Sequence, residues 1–564
     1  MKGRILSRIV GWGLLSILLY TPLIHATKGI GTLTATYILI LFLSMFWLLR
    51  MNGQRSFRFI NSPLNLPLAL FLLFALLSTL FSINKGASLS ELYKVLLFIL
   101  LYFLLINNLK EKYQFRFLLL AILSIGGVVA TYGLYQYFSL WPNLTEISST
   151  FPPNPNSLAG YLLLIIPLAF VYALFASSKW LSRMGFVISF LTYSCLFATH
   201  SRGGRLALFG SLILFLTLIF KYLKRKELLR ARWRFLTLVL LLILLSGILS
   251  SLRLIPKPSL AQQIPQVEEA NSSPRIEAQG PRYPLREYFH RGFTPLAGIF
   301  PATVRKNSLS PLEGKQILSP NPPNPQHRNY SNSDASSGIL LGEPLSFRSF
   351  SFQRTPANKF IFDRLKIWGR TLEIIKDYPL LGSGMGTYGI IFKRHKISTP
   401  LTPGTIARYG QSARFAHNEY LQIAAETGLP SLAIFLWIIT LILRTGLRTL
   451  KESQVAQEVY GKRLTVNGKP FITIGLLSGL TGVLLHSLVD FVLRPPATDI
   501  LFIYFIAFIM LQAKTGDRET GRQRDGETGK RGNGGIRQPD SLPPSLPEPH
   551  YPKQPHHLCY NTPH

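Results

Sequence analysis

The sequence predicts an all-α, polytopic membrane protein: a bundle of about twelve transmembrane helices interrupted by one large loop. Three observations carry this expectation. Of the 564 residues 48% are hydrophobic and only 15% charged, and the mean hydropathy is positive. The apolar residues gather in runs of roughly 17–23, about the length that crosses ~30 Å of hydrocarbon at 1.5 Å per residue. The runs are also continuously apolar, whereas the strands of a membrane barrel would alternate over ~10 residues.

Taken in order, residues 1–252 hold nine predicted spans, near 8–24, 29–49, 66–82, 91–107, 116–138, 158–176, 184–199, 205–222 and 234–252. The start resembles a secretory leader, with Lys2, Arg4 and Arg8 before an apolar run, but it lacks a good cleavage pattern and is read as a retained first helix. Residues 253–355 are rich in Pro, Ser, Asn and Gln without an apolar period, the composition of a disordered insertion. Residues 356–428 return to helical patterning. Three further spans, near 429–445, 471–490 and 497–513, complete the bundle, and 514–564 read as a disordered tail. No internal repeat is evident in the membrane part.

The net charge of +34 has a topological explanation. The even-numbered inter-helix loops are short and basic: Arg50 to Arg58, Lys110 to Arg116, Lys179 to Arg183, Lys221 to Arg234 and Arg444 to Lys469. This positive-inside pattern places both termini in the cytoplasm and the long segment 253–416 outside. It argues against nucleic acid as a partner and for the lipid bilayer as the environment. The only cysteines, Cys195 and Cys559, lie in an apolar span and in the tail, so neither a disulfide framework nor a cysteine zinc site is expected.

Within the external segment, Ala357 to Tyr378 has helical spacing. Ile361, Leu365, Trp368, Leu372 and Ile375 share one face and Asp363, Lys366, Arg370 and Glu373 another. Pro379 stops this helix, and Gly382 to Gly386 form a turn. A second short helix is expected from His417 to Thr427, broken by Gly428 and Pro430 before the next span. Both would lie on the outer surface, over the bundle.

The informative residues are polar groups that topology does not explain. Arg202 and Arg205 sit in a short external turn, Arg364 and Arg370 on the first surface helix, and Arg408 and Arg414 just before His417. Guanidinium groups grip phosphate oxygens in bidentate fashion, although at an interface they also serve lipid headgroups and nearby acids. His417 opens a helix next to Asn418 and Glu419, and the ordinary imidazole pKa near ~6.5 suits a general base acting on a sugar hydroxyl. A structural hydrogen bond is the alternative. Glu426 suits an arginine partner or a helix-end contact. His486, Asp490 and Arg494 follow at i, i+4 and i+8, which puts them on one face of a continuous helix, either as a polar packing cluster or as chemistry. The glycine turn 382–386 follows no strand, which excludes a dinucleotide loop. No Asp-X-Asp pair occurs, so the usual mark of a metal-dependent nucleotide-sugar transferase is missing. The first external turn, near His25 to Lys28, has no acid, against a polyprenyl-monophosphate-sugar transferase with its base there.

Five segments resemble the O-antigen ligase and polymerase superfamily. They are Phe151-Pro-Pro-Asn-Pro-Asn156, His200-Ser-Arg-Gly-Gly-Arg205, Arg364-Leu-Lys-Ile-Trp368 with Pro379-Leu-Leu-Gly-Ser-Gly384, Ala416-His-Asn-Glu-Tyr-Leu421 with Glu426-Thr-Gly428, and His486-Ser-Leu-Val-Asp490. The resemblance covers roughly 150–500 well and 1–150 only by helix pattern. It implies a GT-C-like bundle in a bacterial inner membrane with a periplasmic loop. It implies a metal-independent, inverting glycosyltransferase without a cofactor. The donor would be an undecaprenyl-diphosphate-linked glycan, and the acceptor a hydroxyl of another glycan or of a lipid A-core type molecule. By match to the motifs, Arg202 and Arg364 would stabilise the leaving diphosphate, with Arg205 as a nearby alternative, and His417 would remove or orient the acceptor proton. Asn156, Asn418, Arg370, Glu426, His486, Asp490 and Arg494 are the expected substrate-binding residues. A ligase and a polymerase need the same diphosphate grip and hydroxyl activation, so the motifs leave the two open. A transporter, of bicarbonate for example, is the third reading. It would be marked by inverted repeats or paired broken helices at mid-membrane, and neither is seen here.

Overall fold

The computed structural model describes residues 2–24, 30–53, 60–109, 112–139, 147–151, 154–223, 225–251, 359–394, 413–460 and 469–531. The insertion 253–355, the turn near His25 to Lys28, Arg408 and the tail beyond 531 lie outside them.

The described chain is all helix apart from turns. Nine helices come first: α1 (Lys2–Ile24), α2 (Ile30–Gly53), α3 (Asn65–Leu80), α4 (Lys85–Asn108), α5 (Lys112–Ser139), α6 (Pro155–Phe175), α7 (Lys179–Ala198), α8 (Arg202–Tyr222) and α9 (Arg225–Ser251). Two lie in the segment expected outside, α10 (Lys359–Asp377) and α11 (Tyr388–Arg394). The last three are α12 (Glu419–Tyr460), α13 (Lys469–His486) and α14 (Pro496–Arg531). Each predicted span coincides with one of these helices. Nine of the described helices are long and apolar enough to cross a membrane, and α3 and most of α13 are shorter apolar helices. The expectation of an all-α polytopic bundle holds. Several boundaries move: α9 starts at Arg225, α12 runs from Glu419 to Tyr460, and α14 runs on to Arg531, so 514–531, expected as disordered tail, is helical.

The centre of the bundle is α6, whose residues from Ser157 to Leu174 are all buried. It packs on α7 and α13, and α13 packs on α8. Small residues permit the approach, as in membrane helix pairs generally. A side chain at Gly479 would meet the Leu164 carbonyl oxygen at 2.9 Å. Ser211 Oγ of α8 donates to the Ser478 carbonyl of α13 at 2.7 Å. The short α13 is thereby held between two neighbours, and its last residue, His486, is delivered to one end of the bundle.

That end collects the helix starts. The side chains of Asn84, Asn154, Ser201 and Asn418 cap α4, α6, α8 and α12 by accepting backbone N–H groups. All four caps are neutral, and no acid stands in the first turn of α4, α6 or α8, so the positive ends of these helix dipoles are not offset there. The surface pieces seat on the same end. The glycine turn after α10 bonds to the start of α12, with Ser383 N to Ala425 O and Gly384 N to Glu426 O both at 2.9 Å. Ser78 Oγ of α3 reaches the Glu426 carbonyl at 2.9 Å, and Ser88 Oγ of α4 reaches that of Met385 at 2.8 Å. The break at Gly428 is real: α12 is kinked there, with φ 87° and ψ 166°.

Candidate functional site

Asp490 is the hub of this end. The helix α13 ends at His486, and the chain turns over Ser487–Asp490, with Asp490 N still bonded to His486 O at 3.0 Å. The Asp490 carboxylate is buried, 2% exposed, and receives four donors from four places. Asn156 Nδ2 of α6 donates to Oδ2, and Arg364 Nη2 of α10 reaches the same oxygen at 3.1 Å. His417 Nδ1 lies 3.0 Å from Oδ1, which also accepts the Phe491 N–H at 2.9 Å. Burial pushes this carboxyl up, but the His417 hydrogen bond and the positive charge of Arg364 help to outweigh it, and the group is held below the usual carboxylate range. A carboxylate only accepts, so His417 Nδ1 carries the proton towards it. The basic lone pair then falls on Nε2, on the far side of the ring, the arrangement in which an acid orients a histidine base.

The turn bearing His417 is built to hold that ring. His417 has φ 51°, in the left-handed region. Asn418 Nδ2 donates to the Leu488 carbonyl at 2.9 Å, Glu419 N to Ser487 O at 2.9 Å, and Tyr420 Oη to Leu484 O at 2.9 Å. The ring of Phe491 meets the imidazole edge-on at 4.9 Å and stacks on Phe415 at 4.4 Å. From the other side Trp368 Nε1 of α10 donates to the Ala416 carbonyl at 3.0 Å.

The arginines divide into two groups. Arg202 is exposed as the first residue of α8. Its cap Ser201 has Oγ 3.5 Å from His486 Nε2, and Gly203 stands over His486 and Val489, where an added Cβ would lie 2.9 Å from Val489. The start of α8 is thus set against the turn that carries Asp490. Arg205 turns towards Phe197, 5.7 Å from its ring. The Arg364 side chain stays 24% exposed while paired with Asp490. Arg370, by contrast, lies 4.1 Å over the Phe392 ring and is 8% exposed. Arg494 is engaged by Glu419 at 3.2 Å and Glu426 at 3.6 Å. Burial works to lower its pKa, but these two carboxylates more than offset it and keep the guanidinium charged. Glu426 Oε1 also accepts from Tyr388 N and Gln422 Nε2, both at 3.2 Å.

Of the residues singled out in the sequence, the structure brings Asn156, Arg364, His417 and Asp490 into direct contact, with Asn418, His486 and the start of α8 beside them. Arg370, Glu426 and Arg494 brace the surface helices around this group. One reading is corrected: His486, Asp490 and Arg494 do not share a helix face, because α13 stops at His486 and the other two lie in the following turn. The sequence reading passed over Gln422 and Phe491, whose contacts run through the fold rather than along the chain. The spacing of Gln422 and Glu426 at i, i+4 was the one local signal. Among the described residues no group of three or more His, Cys, Asp or Glu is arranged to hold a metal ion.

A family model described as O-antigen ligase (Wzy_C) matches residues 184–436. The match includes Arg202, Arg364 and His417, whereas Asn156 and Asp490 lie outside it. No curated protein matches the chain.

Proposed function

We propose that this chain, which is similar to the O-antigen ligase family over residues 184–436, transfers a glycan from an undecaprenyl diphosphate carrier to an acceptor hydroxyl at the outer face of the bacterial inner membrane. The observation that carries the reading is the His417–Asp490–Arg364 constellation, a base oriented by a buried carboxylate beside a partly exposed cation. In this mechanism His417 Nε2 takes the proton of the acceptor hydroxyl as its oxygen attacks the anomeric carbon from the face opposite the diphosphate. The carbon–oxygen bond to the diphosphate breaks, and its electron pair leaves with the lipid diphosphate. Arg202 and Arg364 meet the charge that grows on the phosphate oxygens. The start of α8, with a neutral cap and no acid in its first turn, adds to that potential, and a metal ion is not required in this scheme. Asp490 is a positioning group here, since both its oxygens are filled by protein donors.

The test is transfer from an undecaprenyl-diphosphate-linked donor by purified protein in detergent with EDTA, followed by gel shift of the glycan. Wild-type transfer is expected to survive EDTA. His417→Ala and Arg202→Ala are each expected to lower the rate by about 10²–10³-fold. Full activity in both variants would sink the mechanism. Supplying a free core acceptor or a second carrier-linked chain separates ligase from polymerase. Absence of transfer with either, together with bicarbonate uptake into proteoliposomes, would favour the transporter.

A further inference from the structure

Beneath the His417 turn lies a chain of buried polar contacts that the transfer mechanism does not itself use. Gln422, 1% exposed, accepts the Ala416 N–H on Oε1 at 2.9 Å and donates from Nε2 to Glu426 at 3.2 Å. Only one orientation of the amide satisfies both partners, because an N–H needs an acceptor and a carboxylate a donor. Glu426 passes the connection to Arg494 and thence to Glu419, and it also receives Tyr388 N from the start of α11. Ala416, the residue before His417, is therefore held in both of its peptide units: its N–H, in the peptide shared with Phe415, by Gln422, and its carbonyl, in the peptide shared with His417, by Trp368. A histidine with φ 51° holds that conformation only where its surroundings over-determine it.

We infer that Gln422 is a positioning residue of the transfer site, which keeps the His417 backbone in its left-handed conformation and couples it to the glycine turn through Glu426. The inference rests on the transfer reading for its kinetic consequence, but its structural part can be measured without it. Removing the Gln422 amide takes the acceptor from the Ala416 N–H and one of two donors from Glu426 Oε1 in a buried site, and the turn relaxes. A displacement of about 1 Å at a base lowers catalysis by about 10²-fold without removing the groups that bind the donor. The expected signature is a fall in kcat with KM for the donor within about twofold of wild type.

The experiment uses the full chain in detergent, with the variants Gln422→Met and Gln422→Glu and hydrogen exchange followed by mass spectrometry. In Gln422→Met the Ala416 amide is expected to exchange at least about tenfold faster, and kcat to fall about 10²-fold. In Gln422→Glu the introduced carboxyl can replace both amide bonds only when protonated. Its rate relative to wild type is therefore expected to rise as pH is lowered, a dependence that general loss of packing would not produce. Wild-type exchange at Ala416, or a Gln422→Met kcat within twofold of wild type, overturns the inference. His417→Ala in the same assay keeps the two readings apart. Full activity there sinks the transfer mechanism, while an inactive His417→Ala beside a fully active Gln422→Met sinks only the role of Gln422. If Gln422→Met does not fold, the pH-dependence of Gln422→Glu and its Ala416 exchange decide.

Discussion

Asp490→Asn is expected to lower the transfer rate by roughly 10³–10⁴-fold and to destabilise the fold by about 2–4 kcal/mol. The change is nearly isosteric, so the argument is one of donors and acceptors. Four donors, from Asn156, Arg364, His417 and Phe491, converge on two oxygens. An amide offers one oxygen and one NH2, so either the Asn156 and Arg364 pair or the His417 and Phe491 pair would face another donor. In the first case Arg364 loses its anchor. In the second the imidazole loses the partner that fixes its tautomer. The effect exceeds that of removing His417 alone because the hub also holds the cation. Initial rates of transfer and the melting temperature in detergent check this, and a variant retaining more than about a tenth of the wild-type rate would show that Asp490 orients nothing of consequence. The pH dependence has a definite sign. The folded pKa of Asp490 is depressed, so its contribution to stability is fully present above the unfolded carboxylate value near ~3.9 and is lost only as pH falls through the lower folded value. Between pH 5 and 8 the hub stays ionised, and any change of rate in that window belongs to another group.

Gly428→Ala is expected to be the most destabilising small substitution in the surface region. The backbone there has φ 87° and ψ 166°, a conformation open essentially to glycine alone. A Cβ would also lie 2.1 Å from the Leu380 carbonyl oxygen. Neither partner can retreat, because Leu429 N is bonded to Pro379 O at 2.8 Å and the glycine turn is bonded to Ala425 and Glu426. The cost is about 4 kcal/mol or more, a fall in apparent melting temperature of about 3–4 °C for a chain of this length. Gly369→Ala serves as the comparison. Gly369 lies inside α10 with nothing within 4 Å of an added Cβ, and it is expected to gain about 0.5–1 kcal/mol. Equal melting temperatures for the two variants would mean that the kink is not the joint described above.

The membrane bundle was legible because its signal is local: the length of an apolar run determines whether it can cross, and no distant residue alters that. Helix breaks at Pro379 and Gly428 were legible for the same reason. The site was legible only residue by residue. His417, Arg364 and Asp490 each stood out as polar groups without a topological excuse, but their union is a matter of chain geometry. The bond from His417 to Asp490 spans 73 residues and that from Asn156 to Asp490 spans 334, beyond any periodicity. The helix-face reading of His486, Asp490 and Arg494 failed because spacing alone assumes that a helix continues. Here the helix ends at His486, and Asp490 lies in the turn that follows, where its carboxylate takes the N–H of Phe491. For Arg370 the sequence shows the charge but not the Phe392 ring beneath it.

That the hub belongs to the last hairpin of the bundle has a consequence for biogenesis. A ribosome delivers Arg202, Arg364 and His417 to the membrane before Asp490 has been made. Until α13 is inserted and its turn emerges, the imidazole has no carboxylate to fix its tautomer and Arg364 has no anchor. A chain arrested or cleaved before this point carries the arginines and His417 yet is expected to be inert in transfer, so the proposed activity is expected only when insertion is nearly complete.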